Sequence, residues 1–78
     1  MESQVFRTLA ELIAATAFVE TDTITRATTF DDIGLDSLDV VEMGIDIEDE
    51  FQISLDDDLI NEMKTVGELV EYVEKLVN

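Results

Sequence analysis

Ser37 lies in the stretch Gly34-Leu35-Asp36-Ser37-Leu38-Asp39, with a carboxylate before it and another two positions after. A serine hydroxyl in that setting can cap a helix, act as a nucleophile, or carry a group that the chain itself does not make. The sequence has no histidine and no cysteine, which removes the usual general base, the thiolate nucleophile and the commonest transition-metal ligands. No Ser-His-Asp or Cys-His arrangement can form, and a chain of 78 residues has too small a core to wall off a substrate cleft. The expectation is a protein that is not an enzyme.

As a cap, the Ser37 oxygen would accept a hydrogen bond from a backbone N–H in the first turn of a helix. A hydroxyl at a helix start is also exposed on a rigid element, and the free N–H groups there favour a phosphate. Asp36 and Asp39 oppose an unaided anion. Loading Ser37 would therefore need an external enzyme with basic residues or a metal.

Charge narrows the partners. Twenty Asp and Glu face four Lys and Arg, for a net charge of −16. Thirteen of the acids fall between Asp31 and Glu62, and no Lys or Arg occurs from residue 27 to 63. Nucleic acid and anionic membranes would be repelled, so the expected partners carry basic patches, and self-repulsion favours a monomer. The longest uncharged run near the N-terminus, Leu12 to Val19, is far short of the about 20 apolar residues that a bilayer span needs. With no basic leader, the chain is expected to be cytoplasmic.

The acids do not form a metal loop. An EF-hand starting at Asp31 would place Ile33 and Leu35 at its third and fifth positions, and one starting at Asp46 would put Phe51 where glycine is required. Gly34 has no phosphate-cradling pattern around it and is read as the glycine of a tight turn before a helix.

Four helices are predicted to position these residues. Val5, Leu9, Leu12, Ile13 and Thr16 recur at helical spacing and predict helix over residues 3–17. Residues 18–36 read as a long connection with five threonines, held down by Phe18, Ile24, Phe30, Ile33 and Leu35. A second helix should open at Ser37, capped by Asp36 or by Ser37 itself, and run to about Phe51. A short helix is expected over Asp57–Glu62. Thr65 with Glu68 makes a capping box, after which Val66, Leu69, Val70, Val73 and Val77 stripe the last helix. The fold class is all-α, one four-helix domain with a long loop between the first two helices.

The second helix has two apolar faces. Val40, Met43, Gly44, Ile47 and Phe51 gather on one side as the core stripe, at about 100° per residue. Leu38, Val41 and Ile45 gather on another, more than about 100° away. They either pack under the long loop or form an exposed patch, with Asp39, Glu42, Asp46 and Asp49 beyond them and Glu48 at the other edge. Such a patch would fix register on a partner, while the charge speeds encounter.

At this point the chain resembles an acyl carrier protein over nearly its whole length: "FDDIGLDSLDVVE", "EDEF", the short third helix and "TVGELVEYV". Gly34-x-Asp36-Ser37-Leu38 matches that family's attachment motif. The resemblance implies that Ser37 carries 4′-phosphopantetheine, transferred from coenzyme A by a phosphopantetheinyl transferase, with acyl groups held on the arm's thiol for acyl-processing enzymes. By position it also implies that Asp36, Leu38, Asp39, Glu42, Ile45, Glu48 and Asp49 meet partners, Val41 joining them from the patch argument. Ile47, Phe51, Ile60, Met63 and Leu69 become candidates for lining the space taken by an acyl chain. The family's usual proline before the third helix is replaced by Asp56. Gly44 stands where an apolar residue is common, and either widens that space or lets another helix approach closely. Phe30-x-x-Ile33-Gly34 is one residue shorter than in many fatty-acid carriers and is similar to polyketide-type carriers. Three functions remain open: a carrier for fatty acid biosynthesis, a dedicated carrier for a specialised acyl or polyketide pathway, and an unmodified acidic interaction module such as a nucleic-acid mimic.

Overall fold

A computed structural model describes residues 3–77, and within them lie four α-helices, each opened by a side chain just ahead of it. For α1 (Gln4–Ala17) the Ser3 hydroxyl accepts from the Phe6 N–H at 3.1 Å. For α2 (Ser37–Phe51) the cap is Asp36, for α3 (Asp57–Glu62) it is Asp56, and for α4 (Val66–Val77) the Glu68 N–H reaches Thr65 Oγ1 at 3.2 Å. Each such cap is worth about 1 kcal/mol, because it satisfies an N–H that the helix cannot.

The core is a single apolar cluster in which α1, α2 and α4 meet, with α3 laid across α2. Leu9 and Ile13 of α1 meet Met43 and Ile47 of α2 and Leu69, Val70 and Val73 of α4 within it. Burying each such side chain contributes about 1.5–3 kcal/mol. The buried face of α1 is rotated from the expected stripe. Phe6, Ala10 and Ala14 are buried, while Val5, Leu12 and Thr16 are only half-buried. The buried face therefore runs through Phe6, Leu9, Ala10, Ile13 and Ala14. At the far end of α4, Val77 is exposed instead of completing the stripe.

The long connection is held as expected at Ile24, Phe30 and Leu35, which are buried, and at Ile33, which is half-buried. Phe18 is a correction: it is 94% exposed. It ends α1 in the left-handed conformation (φ 60°), with its N–H and that of Val19 both returning to the Ala14 carbonyl. That reversal directs the ring away from the bundle. A 3-10 turn over Thr21–Thr23 follows. The threonines tie the loop together through their hydroxyls: Thr23 Oγ1 donates to the Glu20 carbonyl at 2.7 Å, and Thr28 Oγ1 accepts from Thr25 N–H at 2.9 Å. The loop then pairs with the start of α4 through an isolated antiparallel bridge between Thr29 and Thr65. Phe30 N–H donates to the Lys64 carbonyl, Val66 N–H to Thr28 and Gly67 N–H to Arg26, at 2.9–3.1 Å. Gly34 closes the turn into α2 at φ +77°, a conformation that L side chains rarely adopt.

Asp56 does more than replace a proline. Its carboxylate accepts from the N–H groups of Asp58 and Leu59, and its own N–H, which proline lacks, donates to the Tyr72 hydroxyl at 3.1 Å. This bond links the entry of α3 to α4.

Candidate functional site

Of the two caps that the sequence allows for α2, the structure uses Asp36. Its Oδ1 accepts from Asp39 N–H at 2.9 Å, and Asp39 Oδ2 accepts from Asp36 N–H at 3.2 Å. The two carboxylates closest to Ser37 along the chain are thus occupied with backbone at the helix start. Ser37 is the first residue of the helix and is exposed, and its hydroxyl takes part in none of the hydrogen bonds of the described residues. The capping role that would explain a serine here belongs to its neighbour. A free hydroxyl on a fixed backbone is left over.

Beside Ser37 opens a groove of about 700 Å³. Phe30, Leu35, Val40, Ile60 and Met63 form its apolar lining, and Asp31, Asp36, Asn61, Glu62 and Lys64 its polar edge. Only Ile60 and Met63 of the residues considered for an acyl chain line this groove. Ile47 and Leu69 are sealed in the core, and Phe51 is half-buried. Gly44 is buried as well, and a β-carbon there would lie 2.9 Å from Ile60 Cδ1 and 3.8 Å from Leu55 Cδ1. Of the two roles open to Gly44, this packing matches the close approach of α3.

The second apolar face of α2 is outward. Leu38 is 66% and Ile45 61% exposed, and Val41 between them is half-buried. Asp36, Glu42, Asp46 and Asp49 are exposed around them, while Asp39 and Glu48 are half-buried. Glu48 is distinct among the acids of the patch. Its Oε2 accepts from the Leu55 N–H at 2.7 Å, so this carboxylate also fixes the segment between α2 and α3. Sequence spacing gave no sign of that bond, since the partners are seven residues apart across a chain reversal.

Lys64, on the edge of the groove, is followed by the α4 capping box. The Glu68 carboxylate accepts from the N–H groups of Lys64 (2.9 Å) and Thr65 (3.0 Å). These two bonds, the Lys64 one first, hold its carboxyl below the usual glutamate range. Among the described residues no cluster of acidic side chains has the arrangement of a metal site. No helix among them is long and apolar enough to cross a membrane.

A family model described as the phosphopantetheine attachment site matches residues 7–73. The chain belongs to that family of carrier proteins. Its cofactor is accordingly 4′-phosphopantetheine, and the unbonded Ser37 hydroxyl at the start of α2, facing solvent, fits a covalent attachment. An acyl carrier protein of Porphyromonas gingivalis is 40% identical over 74 residues, covering 94% of this chain and 95% of the relative. One from Clostridium perfringens is 44% identical over 69 residues, covering 87% and 91%. The solution structure of the 3,5-dioxohexyl acyl carrier of the actinorhodin polyketide synthase of Streptomyces coelicolor superposes with a TM-score of 0.77 at 25% identity, covering 92% of this chain and 88% of that one. A crystal structure of the acyl carrier protein of Thermotoga maritima shares the fold with a TM-score of 0.80 at 23% identity, over 99% and 95%.

Proposed function

We propose that this protein carries acyl intermediates for fatty acid biosynthesis on a 4′-phosphopantetheine arm at Ser37, and performs no chemistry itself. When bound, the arm supplies a terminal thiol that holds an acyl group as a thioester, the function a cysteine-free chain lacks. The observation that carries the assignment to Ser37 is its exposed, unbonded hydroxyl at the first position of a helix that Asp36 and Asp39 already cap. The chain's own residues then have three tasks. The capping box holds the attachment point rigid. Leu38, Val41 and Ile45, with Asp36, Asp39, Glu42, Glu48 and Asp49 about them, dock the transferase and the acyl-processing enzymes through those enzymes' basic patches. Ile60 and Met63, at the groove, are where an acyl chain enters, with Gly44, Ile47, Phe51 and Leu69 deeper between the helices. A net charge of −16 supports a monomer, and the cytoplasm is where such partners and coenzyme A meet.

Incubation with coenzyme A, magnesium and a broad-specificity phosphopantetheinyl transferase, followed by intact mass measurement, tests the site. The expected result is one arm added to the native protein and none to Ser37→Ala. A folded sample that gains no mass, or a gain that survives Ser37→Ala, overturns it. A dedicated polyketide carrier is the second reading, supported by the short Phe30–Gly34 spacing and the likeness to the actinorhodin carrier. Elongation of the loaded protein by a polyketide ketosynthase but not by a fatty-acid one would decide for it.

A further inference from the structure

Lys64 is the only Lys or Arg between Arg26 and Lys75, and it lines the same groove as Ser37. The other charged residues of that groove, Asp31, Asp36 and Glu62, are all acids. The Lys64 backbone is held on both sides: its N–H donates to Glu68 Oε1 at 2.9 Å, and its carbonyl accepts from Phe30 N–H at 3.1 Å. The side chain is exposed on this fixed base. An anion attached to Ser37 would meet repulsion from the rest of the groove and attraction from this one ammonium. We propose, on the reading that Ser37 bears the arm, that Lys64 pairs with the arm's phosphodiester and holds the arm along the groove, over Ile60 and Met63. Lys64 is a positioning residue, setting how often the arm rests on the protein and how often it extends to a partner. An exposed ion pair is weak enough for the arm to be released when a basic partner competes for the phosphodiester.

The test starts from intact mass, to show that the native protein, Lys64→Gln and Lys64→Arg all take the arm; absence of loading in the native protein is a failure of the Ser37 assignment and is seen before the next step. NMR of the three loaded proteins then reads contacts from the arm's geminal methyls to Ile60 and Met63, with the amide shifts of residues 60–65 between unloaded and loaded forms. In Lys64→Gln the contacts should weaken by about two- to fivefold, the range an exposed ion pair allows, and the amide shifts should shrink in proportion. Lys64→Arg should retain both. Loading should also raise the melting temperature of the native protein more than that of Lys64→Gln. Unchanged contacts and shifts in Lys64→Gln, or a melting temperature lowered equally in loaded and unloaded forms, would show that Lys64 only offsets the acids around it.

Discussion

The side chain of Ile60 fills the volume that Gly44 leaves open, so close that a β-carbon on Gly44 would lie 2.9 Å from Ile60 Cδ1. This contact lets α3 settle against α2. The obstructing atom is the end of a flexible side chain, so alanine at this position requires only a small movement of Ile60, set against a gain of about 1 kcal/mol in helix propensity. Valine is different, because its two methyls cannot both be accommodated. Gly44→Val is expected to lower the unfolding free energy by about 1–3 kcal/mol in urea denaturation, the usual cost of overpacking. An unchanged midpoint would mean that α3 is free to move away.

Phe18 has the opposite character. It occupies a left-handed conformation at the end of α1 and leaves its ring 94% exposed. The backbone strain of a non-glycine residue there is about 1–2 kcal/mol, partly offset by the greater unfolded-state freedom of glycine. Phe18→Gly is expected to stabilise the protein by about 0.5–1 kcal/mol, read from thermal or urea unfolding. Destabilisation would show that the ring contributes packing after all.

The capping carboxylate of Glu68 makes stability depend on acid pH. Its folded-state carboxyl lies below the ordinary value, through hydrogen bonds from the Lys64 and Thr65 N–H groups. A lowered folded value means that its contribution is complete above the unfolded value and is lost as pH falls through the folded one. Glu68→Gln should therefore be less stable than the native protein at neutral pH, with the difference closing as the pH drops below the carboxylate range. A difference of constant size across that range would place the effect in the shape of the side chain and not in its charge.

Ionic strength should act in the other direction on the whole molecule. A charge of −16 on 78 residues repels itself, and salt at physiological strength screens beyond about 8 Å. Raising salt from a low to a physiological level is expected to raise the melting temperature by about 5 °C, equivalent to roughly 1 kcal/mol for a domain of this size. A melting curve indifferent to salt would show that the acids lie too far apart to matter.

The sequence by itself determined the parts that depend on local order. The starts of α2 and α4 are written in the Asp36–Ser37 pair and in Thr65 with Glu68, because a cap and its N–H targets lie within three residues of each other. The choice of Asp36 over Ser37 and the capping of α3 by Asp56 came from the structure. The two apolar faces of α2 followed from helical period alone. Period left open whether Leu38, Val41 and Ile45 pack under the long loop or face solvent, and the structure turned Leu38 and Ile45 outward. The tertiary structure decided whatever depends on residues distant in the chain. Hydropathy favoured Val5 and Leu12 over Ala10 and Ala14 on α1, but the face that is buried is set by where the other elements pack, and it includes both alanines. Phe18 looked like an anchor until the left-handed turn aimed it outward. The groove beside Ser37, the filling of Gly44 by Ile60, the Glu48 bond to Leu55 and the placement of Lys64 on the groove that Ser37 lines arise where α2, α3 and the long loop are brought together. No periodicity encodes them, because each joins segments whose distance is set only when the core closes.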